Sequence, residues 1–181
     1  KLEIRHTRGS VENLQLLAAG EVDVAFVQGG TESAVNASLF SLGSLYFEPA
    51  WLFYRAEMVP ERLTDLHGIR LAIGEPGSGT RMLAVALLRD NVLEDRLEPV
   101  DLGGRAAADA LLTAHVDAAF FVSGAGSPLI DELIRAPDIS LLSFRRAKAY
   151  SRLHPYLSEV VLPEGMIDML ANIPDQDVHL L

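Results

Sequence analysis

The sequence contains no cysteine, and this absence narrows the chemistry that the protein can perform. Without thiols there is no disulfide framework, no thiolate nucleophile and no cysteine-ligated zinc. Lysine is almost absent too: Lys1 and Lys148 are the only lysines among 15 basic residues, and the arginines are scattered along the chain. With a net charge of −10 and no basic stripe, the chain does not fit a nucleic-acid-binding protein.

Long apolar runs are also missing, since runs such as residues 118–122 are far too short to span a bilayer. The composition is nevertheless that of a folded protein, with 49% hydrophobic and 22% charged residues. A length of 181 residues suffices for one ordinary domain or for two small lobes.

Recognisable catalytic signatures are absent as well. No G-x-S-x-G elbow and no G-x-G-x-x-G after a strand occurs, and the histidines show neither H-x-x-x-H nor H-E-x-x-H spacing. We therefore predict no enzyme activity, no cofactor and no metal site.

One sequence pattern, the doubled phrase, occurs twice in similar form. It reads LLAAGEVDVAFVQG at residues 16–29 and LLTAHVDAAFFVSG at residues 111–124. Each copy reads as a helix end, a Val-Asp pair, a short apolar strand and a polar residue followed by glycine. Two similar units predict two similar lobes, and two lobes predict a ligand cleft. The paired carboxylates Asp23 and Asp117 precede the strands, at the end away from the expected cleft, so we assign them a turn or packing role.

Hydrophobic periodicity predicts an alternation of strands and helices in the second half of the chain. The predicted order is strand 70–74, helix 78–91, strand 98–102, helix 105–114, strand 116–122, helix 129–135 and strand 139–144. This βαβαβαβ order is typical of a parallel sheet covered on both faces.

The first half of the chain is less regular. We predict a strand at 1–7, a helix at 10–19 and a strand at 22–27 that is apolar enough to be buried on both faces. An aromatic extended segment at 45–55 and a linker or short helix at 60–67 follow.

The sharpest local motif is GEPGSGTR at residues 74–81, which follows a strand and opens a helix. Glycines allow a tight turn, and the first N–H groups of a helix attract an anion. Ser78 and Thr80 could add hydroxyls and Arg81 a guanidinium. Because Thr80 stands where a P-loop has lysine, an NTPase is disfavoured. Two interpretations stay open, an anion site and a Ser78 that only caps the helix.

A parallel feature occurs in TRGSVENL, where Thr7, Gly9 and Ser10 lie between a strand and a helix. Gln28 and Ser123 end the two repeated strands. Since ligands of open α/β sheets bind beyond the carboxyl ends of the strands, a polar residue at that place in both copies favours a cleft role.

Together these segments resemble the TAXI-type solute receptors of TRAP transporters, which have a type 2 periplasmic-binding-protein fold. The resemblance rests on TRGSVENLQLLAAGEVDVAFVQ, LHGIRLAIGEPGSGTR and LLTAHVDAAFFVSG and extends into the tail LPEGMIDMLANIPDQDVHLL. It implies a two-lobed α/β fold with three-layer αβα lobes.

The resemblance also implies a function. The receptor would be periplasmic or otherwise extracytoplasmic, would close on a small organic anion such as an amino acid or a carboxylate, and would pass it to a membrane permease. Carried over by position, the ligand-binding residues would be Thr7, Gly9, Ser10, Gln28, Ser78, Gly79, Thr80, Arg81 and Ser123.

The implied domain division is a partial first lobe at 1–55, a crossover at 56–69, a second lobe at 70–155 and a return segment toward the first lobe at 156–181. The family's leading strand and helix would precede Lys1, so we expect the first lobe to be incomplete. Two further departures are His115, where the family usually has glycine, and Met166-Ile167, where it usually has Thr-Tyr.

A second interpretation is the effector-sensing domain of a LysR-type transcription regulator, which resembles these receptors in fold and also carries a GSGTR-like segment. Such a domain would be cytoplasmic and would follow a helix-turn-helix.

Overall fold

The computed structural model describes residues 2–31 and 38–181. The elements are α1 (Ser10–Ala18), β1 (Ala50–Arg55), a 3₁₀ turn (Leu63–Asp65), β2 (Arg70–Ala72), α2 (Gly79–Asp90), β3 (Glu98–Val100), α3 (Gly104–Leu112), β4 (Ala118–Val122), α4 (Pro128–Arg135), β5 (Ile139–Leu141), α5 (Ala147–Leu153), β6 (Val160–Leu162) and β7 (Val178–Leu180). A five-stranded sheet organises the chain, with the strands in the order β3-β2-β4-β1-β5.

The predicted alternation from β2 to β5 is confirmed, including all three intervening helices. The sheet is mixed rather than purely parallel. β2 pairs in parallel with β3 and β4, whereas β1 lies antiparallel between β4 and β5. Residues 50–55, which we grouped with the first lobe, are therefore a central strand of the second. The reason is their apolar character, because Ala50 to Phe53 lose all exposure to solvent there.

Helices cover both faces of this sheet, as the predicted three-layer architecture requires. Side chains of α2 and α5 form one core with Leu52, Leu71 and Phe120. Side chains of α3 and α4 form the other core with Trp51 and Phe53. Adjacent residues of β1 thus point into opposite cores, as the alternation of side chains along a strand requires.

The C-terminal segment differs from the return toward the first lobe that we expected. β6 and β7 form an antiparallel hairpin, and Leu162, Val178 and Leu180 pack into the core beneath α3 and α4. The carbonyl of Leu181 accepts a hydrogen bond of 2.7 Å from Ala50 N, the first residue of β1. Apolar burial and this backbone bond hold the segment against the second lobe.

The first half of the chain shows the largest departures from prediction. The helix at Ser10–Ala18 is confirmed, but residues 2–7 and 22–27 form no strands. No described strand pairs with either segment, so they lack the hydrogen-bond ladder that defines a strand. The prediction that 22–27 is buried was wrong: Phe26 is 76% exposed, whereas its counterpart in the second copy, Phe120, is 1% exposed.

The turn before each Val-Asp pair is conformationally the same in both copies. Gly20 has φ 69° and Ala114 has φ 60°. The left-handed position of the second copy is therefore Ala114, so His115, which stands where the family usually has glycine, needs no left-handed backbone.

Asp117 has the structural role that we assigned to it. Its carboxylate accepts hydrogen bonds from Nη2 of Arg70 (2.7 Å) and from the backbone N of Arg70 (2.8 Å). These contacts join the start of β4 to the start of β2. The Arg70 guanidinium holds the pKa of Asp117 below its usual range.

We predict that Asp117→Asn lowers the free energy of unfolding at neutral pH and makes it less dependent on pH in the acid range. A carboxyl whose native pKa is depressed stabilises the fold above the unfolded pKa, about 4, and loses that contribution as the pH falls through the native value. The melting temperature at neutral pH should fall by roughly 2–4 °C, and the loss of stability between about pH 5 and pH 3 should be smaller than in the parent.

Thermal unfolding across this pH range, followed by circular dichroism, measures both effects. Asp109→Asn is the matched control, because Asp109 is an exposed carboxylate paired with Arg105 one helical turn away. An unchanged acid slope in Asp117→Asn would contradict the role given to the Arg70 pair.

Candidate functional site

The turn between β2 and α2 places several predicted site residues at the start of a helix. Ser78 is the N-cap of α2: its Oγ accepts from Arg81 N at 3.2 Å and donates to the carbonyl of Glu75 at 2.7 Å. The turn requires glycine at position 74, where φ is 95° and an added Cβ would lie 2.8 Å from Arg81 N. Ser78 thus caps α2, and its role toward an anion stays a prediction.

A second helix begins beside the first. Gly103 is the N-cap of α3, and a Cβ at that position would lie 3.2 Å from Glu75 N in the turn before α2. The positive ends of two helix dipoles therefore lie close together at the carboxyl edge of β2 and β3. Such an arrangement favours negative charge at this edge.

Arg81 faces this edge but already has a protein partner. Its Nη1 donates to the carboxylate of Asp101, which follows β3, and to the carbonyl of Gly74 at 3.4 Å. The Arg81 side chain is about one-third exposed and that of Asp101 about half exposed. Sequence reasoning missed Asp101, because nothing in its local pattern distinguishes it from other surface carboxylates.

In the first lobe, hydrogen bonds of Ser10 and Asn13 hold the start of α1 against the segment that ends at Gln28. The Thr7 hydroxyl donates to Oδ1 of Asn13 (2.6 Å) and accepts from Gly9 N (3.3 Å). Ser10 Oγ accepts from Gln28 N at 2.9 Å. Asn13 adds a bond of 2.8 Å to the carbonyl of Phe26. This network takes the place of a strand ladder in positioning Gln28.

The two groups of residues meet at the first turn of α2. A Cβ on Gly9 would lie 3.6 Å from Cα of Ser78, and a Cβ on Gly79 would overlap Oε1 of Gln28. Gly79 is buried, and because it has no side chain it leaves room for the Gln28 side chain. These contacts join segments that are some 50 to 70 positions apart in the sequence.

Thr80 and Ser123 complete the set of predicted residues. Thr80 lies in the first turn of α2, with its Cβ 3.1 Å from the position of a Cβ on Gly74. Ser123 lies apart, since its backbone N donates to the carbonyl of Pro49 at 3.3 Å and its carbonyl accepts from Trp51 Nε1 at 2.8 Å. No hydrogen bond of the described residues joins Ser123 to the other eight.

A cavity of about 450 Å³ adjoins this contact and extends along α2. Sequence reasoning missed most of its lining. The residues around it are Gly29, Gly30, Thr31, Gly77, Ser78, Gly79, Arg81, Met82, Leu83, Val85, Ala86, Arg89, His154 and Tyr156. The volume lies within the range of small-molecule sites, roughly 300–1,000 Å³.

Within residues 2–31 and 38–181, no group of three or more His, Asp or Glu side chains is arranged to hold a metal ion. In the same part of the chain, no helix has both the length and the apolar character needed to cross a membrane.

Comparison with known proteins identifies the family. The model of the NMT1-like family matches residues 1–174. The chain belongs to the NMT1-like family. The fold of this NMT1-like chain is that of the periplasmic binding proteins, as two solved structures show.

One of these structures is the periplasmic aliphatic sulphonate binding protein SsuA from Escherichia coli. It has a TM-score of 0.58 and 19% identity, over 75% of this chain and 47% of the SsuA chain. The other is an ABC transporter periplasmic binding protein from Brucella ovis with glutathione bound. It has a TM-score of 0.53 and 17% identity, over 74% of this chain and 42% of the Brucella chain. The NMT1-like chain thus spans about half the length of these proteins.

We predict that Gly79→Ala displaces Gln28 from the start of α2. The added methyl group would occupy the place of the Gln28 amide oxygen, so the contact between the two lobes should weaken. Hydrogen exchange of the Gln28 backbone amide, which Ser10 now protects, should accelerate, whereas exchange in β4 should not change.

Gly124→Ala is the matched control, because a Cβ there meets nothing within 4 Å. Equal exchange rates at Gln28 in both variants would show that the Gln28 side chain does not lie on Gly79.

Proposed function

We propose that this chain forms the ligand-binding part of an extracytoplasmic receptor, which captures a small organic anion between its lobes. The observation that supports the proposal most directly is the contact of Gly9 and Gln28 with the first turn of α2. It places the carboxyl end of the first-lobe segment against a helix start that attracts negative charge.

Backbone N–H groups are the first donors available to such an anion. The first four N–H groups of a helix have no partner within the helix, and Ser78 accepts only that of Arg81. The N–H groups of Gly79 and Thr80 remain as donors to an anion. Because an anion at this place would lie next to Gln28, the Gln28 amide would supply a further contact from the other lobe.

The ion pair between Arg81 and Asp101 lets Arg81 exchange its partner when a ligand binds. In the present structure Asp101 neutralises Arg81. A ligand carboxylate could replace Asp101 as the partner of Arg81, and the freed Asp101 could then accept a hydrogen bond from an ammonium group. An amino acid would satisfy both side chains, whereas a simple carboxylate would satisfy only Arg81.

The energetics require both lobes. Micromolar affinity corresponds to about 8 kcal/mol, whereas a helix start supplies roughly 0.3–2 kcal/mol and a charge-assisted hydrogen bond about 1.5–3 kcal/mol. Once the cost of ordering is subtracted, one lobe does not reach that sum. Closure of the first-lobe segment on the ligand supplies the remainder.

The ligands named for the two related structures, aliphatic sulphonates and glutathione, are organic acids and support an anionic ligand class. For the partner, the resemblance of TRGSVENL and GEPGSGTR to TAXI-type receptors favours the permease subunits of a TRAP-type transporter. We infer a receptor that releases its ligand unchanged. A LysR-type effector domain would have the same fold, so the fold does not distinguish the two functions. They differ in the ligand that is bound and in the partner protein.

We predict that Ser78→Ala combined with Arg81→Gln abolishes thermal stabilisation by anions. At a ligand concentration of a hundred times Kd, binding stabilises the native state by about 2.7 kcal/mol. The parent should show this shift with at least one of L-glutamate, succinate and ethanesulfonate, and the double variant with none.

Arg145→Gln is the matched control, because Arg145 is an exposed arginine that pairs with Glu61. Equal shifts in the parent and the double variant would exclude the start of α2 as the anion site. Each shift is taken relative to the same variant without ligand, so the lost cap of Ser78 does not enter the comparison.

A further inference from the structure

The cavity beside α2 is larger than a site for a short anion requires, and its floor is apolar. Met82, Val85 and Ala86 lie on one side of α2 and line it, because residues three and four positions apart share a helix face. Gly29 to Thr31 and Tyr156 line it from other parts of the chain. The cavity is a groove along the helix, not a pit at its start.

One wall of this groove is tightly packed. A Cβ on Gly30 would lie 2.5 Å from the Tyr156 ring, so the ring rests directly on the backbone of Gly30. The Tyr156 ring also lies against His154, with ring centroids 5.5 Å apart. The hydroxyl of Thr31, a buried residue, donates to the carbonyl of Gln28 at 2.7 Å. These contacts fix the first-lobe wall relative to Gln28.

The two ends of the groove carry cations. Arg81 lines the end near the helix start, and Arg89 lines the other end. Arg89 lies ten positions after Gly79 in the helix, which corresponds to a rise of about 15 Å. Glu94 accepts from Nε of Arg89 at 3.3 Å, and this bond leaves the terminal guanidinium nitrogens for a ligand.

A histidine also lines the groove, and both of its ring nitrogens have protein partners. His154 lines the groove, and its Nε2 is held by Asp90 Oδ2 at 2.6 Å. The Nδ1 of His154 lies 3.5 Å from the Tyr156 hydroxyl. The Asp90 contact orients the imidazole, so the far end of the groove combines a guanidinium with an oriented ring.

We propose that the ligand of this site is an elongated organic dianion with an apolar middle, such as a medium-chain α,ω-dicarboxylate. One carboxylate would bind at the start of α2, the methylene chain would cover Met82, Val85 and Ala86, and the second carboxylate would bind Arg89. This inference rests on the proposed function and specifies the ligand class of that site. Apolar floor, charged ends and volume all match such a molecule.

Three probes test the proposal by isothermal titration calorimetry: succinate as a short dianion, suberate as a long dianion, and octanoate as a long monoanion. Each methylene that is fully buried increases affinity by about fourfold. Suberate has four more methylenes than succinate, so it should bind at least about tenfold more tightly even when burial is partial. Octanoate should bind less tightly than suberate because it lacks the second charge.

Two variants separate the contributions of the groove. Arg89→Gln should remove the advantage of suberate over octanoate and leave the affinity for succinate unchanged. Ala86→Asp places a carboxylate on the floor and should weaken both long probes by at least about tenfold, again without affecting succinate. Arg152→Gln, an exposed arginine of α5 outside the groove, is the charge-matched control. Unfolding without ligand verifies that each variant is folded.

The outcomes distinguish this inference from the proposed function. If succinate binds and suberate binds no more tightly, or if Ala86→Asp leaves suberate affinity unchanged, the ligand does not occupy the groove although the receptor function stands. If none of the three anions binds the parent, the groove proposal fails, and the shifts with L-glutamate and ethanesulfonate then decide the proposed function.

Discussion

The structure depends on the burial of β1 between β4 and β5. Residues 50–53 have no solvent-exposed surface, and the alternation along the strand sends Leu52 into one core and Trp51 and Phe53 into the other. The Trp51 and Phe53 rings stack with centroids 6.3 Å apart. Among the strands of the described residues, β5 pairs only with β1, so removal of β1 would separate β5 from the sheet and open both helical layers.

The same strand fixes the edge at which ligands are expected. Trp51 Nε1 donates to the Ser123 carbonyl at the end of β4, and Ala50 N donates to Leu181 at the end of the chain. These two bonds hold the carboxyl end of β4 and the last residue of the chain against β1. The candidate site is thus built on rigid elements of the second lobe, and the first lobe contributes only a segment held by side-chain hydrogen bonds.

Local chemistry explains why parts of this arrangement were predictable. The helix start at Ser78 followed from glycines that permit the turn and from a hydroxyl that caps the helix. The order of strands and helices from β2 to β5 followed from apolar periodicity, which each element satisfies against its own neighbours. Asp101 and Arg89 could not be predicted, because their importance comes from residues distant in sequence, Arg81 for the first and Tyr156 with His154 for the second.

The two copies of the doubled phrase show which features the local sequence determines and which depend on tertiary contacts. The sequence by itself determined the helices, the turn of each copy, and the polar residue that ends it, because backbone propensities and side-chain period act over a few residues. Only the tertiary structure decided that Phe120 is buried and Phe26 is exposed, because burial depends on the strands and helices that surround a segment. The antiparallel insertion of β1 and the groove along α2 have the same origin, since both result from contacts between distant parts of the chain.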